Sequence, residues 1–221
     1  KILMIKDIDS IMQIVSEECK KWENPIVTQI SDLTDDPFKV LISCVLSLRT
    51  RDQVTGLASK RLFAVADNPE KLVKLKVEDI EKIIYPVAFY RIKAKNLVSI
   101  CNDLITKYNG KVPDKFEELL KLKGVGKKTA AITMVYGYKS RDYIPVDSHV
   151  HIISNRLGIV KTKTPDETMD SLMKKIPKKY WYEYNDLLVK YGQNICLSNS
   201  PLCTKCKINK YCKKVGIKNF R

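Results

Sequence analysis

Apolar residues return every three or four positions along most of this chain, and no stretch alternates apolar and polar over the length of a strand. Ile8, Ile11, Met12, Val15 and Cys19 share one stripe, as do Val40, Leu41, Cys44, Val45 and Leu48, which predicts amphipathic helices over 8–22 and 37–49. The same spacing predicts helices over 51–65, 78–85 and 90–107, with Asn68-Pro69, Tyr85-Pro86 and Asn109-Gly110 as stop or turn pairs. The reading is about ten helices and no convincing hairpin, so the expected fold class is all-α. Nothing repeats at a solenoid's period. Lys139 to Pro145 is polar and aperiodic, which suits a loop inside one domain or a junction between two.

The 221 residues suffice for one large domain or two small ones. Forty Lys and Arg against 25 Asp and Glu leave a net charge of +15, an excess that predicts a polyanionic partner. Apolar residues at 44% and charged residues at 29% exclude a disordered basic tail and a fibrous protein. The longest uncharged, mostly apolar run, Val40 to Leu48, has nine residues against the roughly 20 that a membrane-spanning helix needs, so no membrane partner is expected. The opening Lys-Ile-Leu-Met is followed by no apolar leader segment with a small-residue cleavage site, and no secretory signal is expected. Four of the seven Cys crowd into the last 26 residues while Cys19, Cys44 and Cys101 sit singly on apolar stripes. That pattern predicts a reducing, intracellular setting and one metal site rather than a disulfide framework.

Phe116, Leu119, Leu120 and Leu122 make one short apolar face, Lys123-Gly124-Val125-Gly126 interrupts it, and Ala130, Ile132, Met134 and Val135 resume helical spacing. The reading is helix, glycine hairpin, helix, with Gly124 and Gly126 allowing positive φ and close approach of another chain. The first N–H groups of the second helix suit a phosphate. A plain turn between packed helices fits Gly-Val-Gly equally well, and Lys121, Lys123, Lys127 and Lys128 tilt the balance toward nucleic acid.

Further on, Val146-Asp147-Ser148-His149-Val150-His151 holds the only two His of the chain. Asp147 immediately precedes an apolar run and can serve simply as a helix cap. His149 and His151 stand two apart, on different helix faces, so they read as hydrogen-bonding groups or DNA contacts rather than as a metal pair. Cys196-x6-Cys203-x2-Cys206-x5-Cys212 puts four soft thiols close together, a donor set for zinc or for an iron–sulfur cluster; base rate alone favours zinc. Lys205, Lys207, Lys210, Lys213 and Lys214 make the same segment basic, fit for phosphates.

The run Leu122-Lys123-Gly124-Val125-Gly126-Lys127-Lys128-Thr129-Ala130 resembles the helix-hairpin-helix of the DNA base-excision glycosylases, the endonuclease III family in particular. Val-Asp-Ser-His resembles that family's Val-Asp-Thr-His, and the 6-2-5 cysteine spacing matches the family's closing segment. The likeness runs from about residue 10 to the last Cys, with the three motifs in the family's order. It implies a two-domain helix-hairpin-helix glycosylase fold with a C-terminal cluster loop: residues 30–140 carrying the hairpin, and 1–29 together with 141–221 carrying the cluster. It implies that Lys128 is the nucleophile, Asp147 the catalytic carboxylate, and Cys196, Cys203, Cys206 and Cys212 the ligands of a [4Fe-4S] cluster. DNA contacts are implied at Gly124, Gly126, Lys127, Arg49, Phe89, His149, Lys205 and Lys207. Two departures bear on substrate choice: Arg49 in Leu46-Ser47-Leu48-Arg49-Thr50-Arg51-Asp52 stands where relatives often have Gln, and Ala88 precedes the wedge residue Phe89 where Gly is frequent.

The implied activity is a bifunctional DNA glycosylase and abasic-site lyase. It would excise damaged, oxidised pyrimidines from duplex DNA, as an intracellular monomer, in the cytoplasm or nucleoid if the source is prokaryotic. The rivals are a mismatch-specific or adenine glycosylase of the same superfamily, whose members usually lack the Lys; a non-catalytic DNA-binding module; and a zinc-knuckle RNA-binding protein.

Overall fold

A computed structural model describes residues 5–221, with side chains from Asp7 onward; the opening Lys-Ile-Leu-Met, part of the reading about a leader, lies outside the described residues. All regular structure among the described residues is helical, and no helix among them is long and apolar enough to cross a membrane. The chain opens with α1 (Ile5–Cys19), which ends short of the expected residue 22 because Lys20, Lys21 and Trp22 tighten into turns that bond back to Glu17, Glu18 and Cys19.

The chain divides into two compact units, Ile26–Ser140 and a second made of the chain up to Pro25 with Arg141–Arg221. The first contains α2 (Ile26–Thr34), α3 (Pro37–Ser47), α4 (Asp52–Val65), α5 (Pro69–Leu72), α6 (Val77–Ile84), α7 (Tyr90–Tyr108), α8 (Phe116–Leu119) and α9 (Lys127–Ile132). At its centre, α3 buries eight of its eleven residues, Phe38, Val40 and Leu41 through Leu46, and packs against α2, α4, α7 and α9. It starts sharply because Asp36 accepts from Phe38 N at 2.9 Å and Pro37 sits at the first helical position. It ends at Ser47, two residues before the expected boundary, because Arg49 takes φ +55. Asn68-Pro69, read above as a stop, opens a helix: the Asn68 side chain caps Lys71 N and Pro69 starts α5. Asn109 (φ +52) and Gly110 (φ +75) do end α7.

Between α8 and α9 runs the glycine hairpin. Leu122 and Val125 are buried and joined by a Val125 N to Leu122 O bond of 3.1 Å; Leu120 is exposed, since α8 has already ended at Leu119. Gly124 sits at φ +79, but Gly126 is extended at φ −98, ψ −179, so only one of the two glycines uses the left-handed region. After α9 the chain continues as a π turn, Thr133–Gly137, and Gly137 lets the start of α3 approach so closely that a Cβ there would stand 3.2 Å from Pro37 Cα.

The second unit holds α10 (Ser148–Leu157), α11 (Pro165–Lys175) and α12 (Trp181–Asn194), with α12 packed on both α1 and α10. The Cys19 thiol donates to Leu187 O at 3.3 Å, and Gly158 at φ +77 ends α10.

The hairpin glycines should respond differently to substitution. A Cβ on Gly124 would meet Asn96 Nδ2 at 2.7 Å besides straining a left-handed backbone, whereas a Cβ on Gly126 would meet nothing within 4 Å. Gly124→Ala should lower unfolding stability by about 1–3 kcal/mol in urea titration. Gly126→Ala should leave it nearly unchanged.

Candidate active site

In the Ile26–Ser140 unit four of the sequence candidates, Arg49, Phe89, Gly124 and Lys128, line one open pocket of about 490 Å3 together with Val45, Leu48, Ile92, Lys93 and Asn96, while Gly126 is not among its lining. Lys128, the second residue of α9, lines this pocket and Lys127 does not, as expected of helix neighbours about 100° apart. No side chain caps the start of α9 at Gly126. Arg49 and Phe89 come together, the guanidinium 5.7 Å from the ring centroid, a distance at which a cation is drawn to the ring face. Both have left-handed backbones, φ +55 and +56, and both are exposed, Phe89 by 55%.

The pocket also holds a residue that the sequence reading missed. Lys93, in the first turns of α7, is only 5% exposed. Its ammonium donates to Leu46 O at 2.8 Å, Leu48 O at 2.6 Å and Thr50 Oγ1 at 3.2 Å. Three donors thereby meet three acceptors, two of them carbonyls at the end of α3, and Leu48 O accepts from Thr50 Oγ1 as well. No signal distinguishes this Lys in the sequence from its many exposed counterparts.

In the other unit, Asp147 is the N-cap of α10: its Oδ1 accepts from Val150 N at 2.9 Å. The capping reading therefore holds, and it fixes the orientation of a half-buried carboxylate. His149 lies against Gly192, where a Cβ would fall 2.4 Å from its Nδ1, and that buried nitrogen has no hydrogen-bond partner among the described residues. His151 is a local hydrogen-bonding group, its Nδ1 2.6 Å from Thr168 Oγ1.

No disulfide joins the four cysteines of the closing segment. Among the described residues no three His, Cys, Asp or Glu side chains converge on a single metal-ion position. The thiols nevertheless feel one another. Burial pushes Cys203 and Cys212 up from the ordinary thiol value, and the neighbouring sulfurs add to it in both. Burial also raises Cys196, opposed by Arg156. Arg156, buried on α10 and likewise missed in the sequence, donates to Cys196 Sγ at 3.4 Å, Leu197 O at 2.8 Å and Ser198 O at 2.5 Å. Lys214 N donates to Cys212 Sγ at 3.3 Å, and Tyr191 Oη lies 3.3 Å from Cys206 Sγ. Four soft thiols, three of them in hydrogen bonds through sulfur, are a ligand set of the iron–sulfur kind. Lys205 and Lys207 project from the same loop, exposed.

Residues 42–178 match the HhH-GPD superfamily of base excision DNA repair proteins. The chain belongs to that superfamily. An endonuclease III of Thermotoga maritima is 50% identical to it over 177 residues, 80% of this chain and 83% of that one. A non-covalent endonuclease III–DNA complex superposes with a TM-score of 0.86 at 31% identity, covering 96% of both chains. A trapped covalent endonuclease III–DNA intermediate gives 0.84 at 30% identity, over 96% of this chain and 97% of that one. The fold is the helix-hairpin-helix glycosylase fold of this superfamily.

Lys93 imposes a pH signature on stability. Burial lowers its ammonium from 10.5 to about 8, opposed by Cys44 and reinforced by the charge on Lys128. The unfolded chain keeps that proton up to 10.5 while the folded chain releases it from about 8, so this group's contribution to stability rises with pH across the window. In Lys93→Met that rise is absent, and urea midpoints measured between pH 8 and 10.5 should fall more steeply than in the wild type.

Proposed function

We propose that Lys128 and Asp147 carry out a two-stage reaction on duplex DNA: excision of a damaged, chiefly oxidised, pyrimidine, then nicking of the abasic site by β-elimination. The chain is a base excision repair DNA glycosylase and abasic-site lyase; its site and substrate are the proposal. The observation that carries it is the pocket in which Lys128, the hairpin residue Gly124, Arg49 and Phe89 share one lining.

Extruding a damaged nucleotide costs a few kcal/mol, least when its pairing is already weak. Phe89 and Arg49, held outward by their backbones, fill the vacated space. The unprotonated Lys128 amine gives its lone pair to the sugar C1′, the glycosidic bond breaks, and the base departs with the bonding pair. Loss of the amine proton and opening of the sugar ring leave a Schiff base. This makes the C2′ proton acidic; its removal expels the 3′ phosphate with the C3′–O electrons. The Asp147 carboxylate opposes the positive charge that develops at the sugar or takes up a proton in passing. The hairpin, with Gly124, Gly126 and Lys127, and the loop with Lys205 and Lys207 hold phosphates, which position without reading sequence. His149 is a further DNA contact in this reading.

Cys196, Cys203, Cys206 and Cys212 would hold a [4Fe-4S] cluster, a group their chemistry fits. Bound there, it supplies four iron–thiolate bonds that cross-link the basic loop. The hairpin segment 30–140 and the cluster segment 1–29 with 141–221 are read as the two working domains of a monomer acting on DNA inside the cell.

Borohydride reduces a Schiff base to a stable amine, so the wild type should become covalently attached to a duplex with an oxidised pyrimidine or an abasic site. Lys128→Gln should abolish both trapping and strand cleavage, Lys127→Gln should chiefly weaken binding, and Asp147→Asn should slow base release while binding persists. Trapping that survives in Lys128→Gln would move the nucleophile to another amine, Lys93 being the one in the same pocket.

Anaerobically purified protein should be yellow-brown, with iron and acid-labile sulfide in equal amounts. Colourless protein with one equivalent of zinc would overturn the cluster assignment.

A further inference from the structure

We infer that Lys93 is a positioning residue for strand opening: its buried ammonium locks the turn that presents Arg49 to the start of the helix that presents Phe89. The inference rests on the gap-filling roles proposed above and supplies what those roles require, two tips kept in fixed register.

The locking is reciprocal. Through its side chain Lys93 holds Leu46 O, Leu48 O and Thr50 Oγ1, the three acceptors that bracket Arg49. Through its backbone N–H it bonds Phe89 O at 3.0 Å. Thr50 closes the loop: its hydroxyl donates to Leu48 O at 3.3 Å and accepts from Ala88 N at 3.2 Å, beside Phe89. Four hydrogen bonds thus tie residues 46–50 to residues 88–93, one more braces each segment internally, and both tips emerge from that knot with left-handed backbones. Neither tip reaches its geometry by local preference, since Arg and Phe rarely occupy positive φ; the surrounding bonds must impose it. The Arg49–Phe89 stacking distance of 5.7 Å is the outward sign of that register.

The ammonium suits this task better than a neutral donor. It satisfies two carbonyls of a desolvated helix end, which carries the negative end of the helix dipole, and still has a third proton for Thr50. Methionine has similar reach and none of these donors.

A double-mutant cycle separates positioning from simple structural support, using the full chain and a duplex with one thymine glycol under single-turnover conditions. Lys93→Met should slow base release about tenfold, the scale of a lost hydrogen bond to a charged group. Added to Arg49→Ala/Phe89→Ala, it should cost less than about twofold more, because the tips through which it acts are gone. An undiminished effect in that background, tracking thermal stability, overturns the inference. Should Lys93→Met fold poorly, Thr50→Val breaks the same knot at its other end and should show the same non-additivity. If Arg49→Ala/Phe89→Ala releases base at the wild-type rate, the gap-filling reading itself fails and the inference falls with it; full coupling failure with an intact tip effect condemns Lys93 alone.

Discussion

A helix packed on every side has no water in which to leave its last carbonyls, and the Ile26–Ser140 unit is arranged around that constraint. Each unpaired buried carbonyl would cost about 1–3 kcal/mol. α3 runs from a buried Leu46 to a half-buried end at Ser47 and Leu48, and the cation that meets the carbonyls of Leu46 and Leu48 arrives from α7. Because that cation belongs to the helix that begins just after Phe89, the solution to a folding problem also fixes where two exposed side chains stand. The cost falls on the ammonium, whose burial lowers its proton affinity.

The second unit meets a related demand with a different residue. Arg156, buried on α10, gathers the carbonyls of Cys196, Leu197 and Ser198, while its own carbonyl accepts from Val215 N at 3.2 Å. A guanidinium spreads its donors in a rigid fork and stays charged at any ordinary pH, so it holds a loop with several acceptors where a lysine would hold a point. The two organising cations are therefore not equivalent: one keeps its charge throughout, the other changes state within reach of solution conditions.

What could be read from the sequence was whatever repeats or clusters. Three-and-four spacing gave the helices of α3, α4, α6 and α7 to within a few residues, and two glycines among lysines gave the hairpin between α8 and α9. Boundaries were less legible where a residue abandons its usual backbone, as Arg49 does at the expected last position of α3, or where a breaker pair can serve either end of a helix, as Asn68-Pro69 does. Lys93 and Arg156 were invisible for a compositional reason: in a chain with 40 Lys and Arg, nothing local marks the few that turn inward. Their roles depend on carbonyls supplied by distant segments, and sequence spacing has no access to those. For Asp147, capping and chemistry left the same trace in the sequence, and only the bond to Val150 N exposes the first of the two.

The left-handed backbones at Arg49 and Phe89 have a consequence for association. A loop that must freeze on contact gives up conformational entropy, about 1–2 kcal/mol for each backbone residue fixed, and that loss is subtracted from affinity. Here the freezing has been completed during folding, when the hydrogen bonds of Lys93 and Thr50 were made. If Arg49 and Phe89 fill the gap as proposed, the encounter with a duplex begins with two tips already aimed, and the binding energy of the rest of the surface remains available to open the duplex rather than to order the protein.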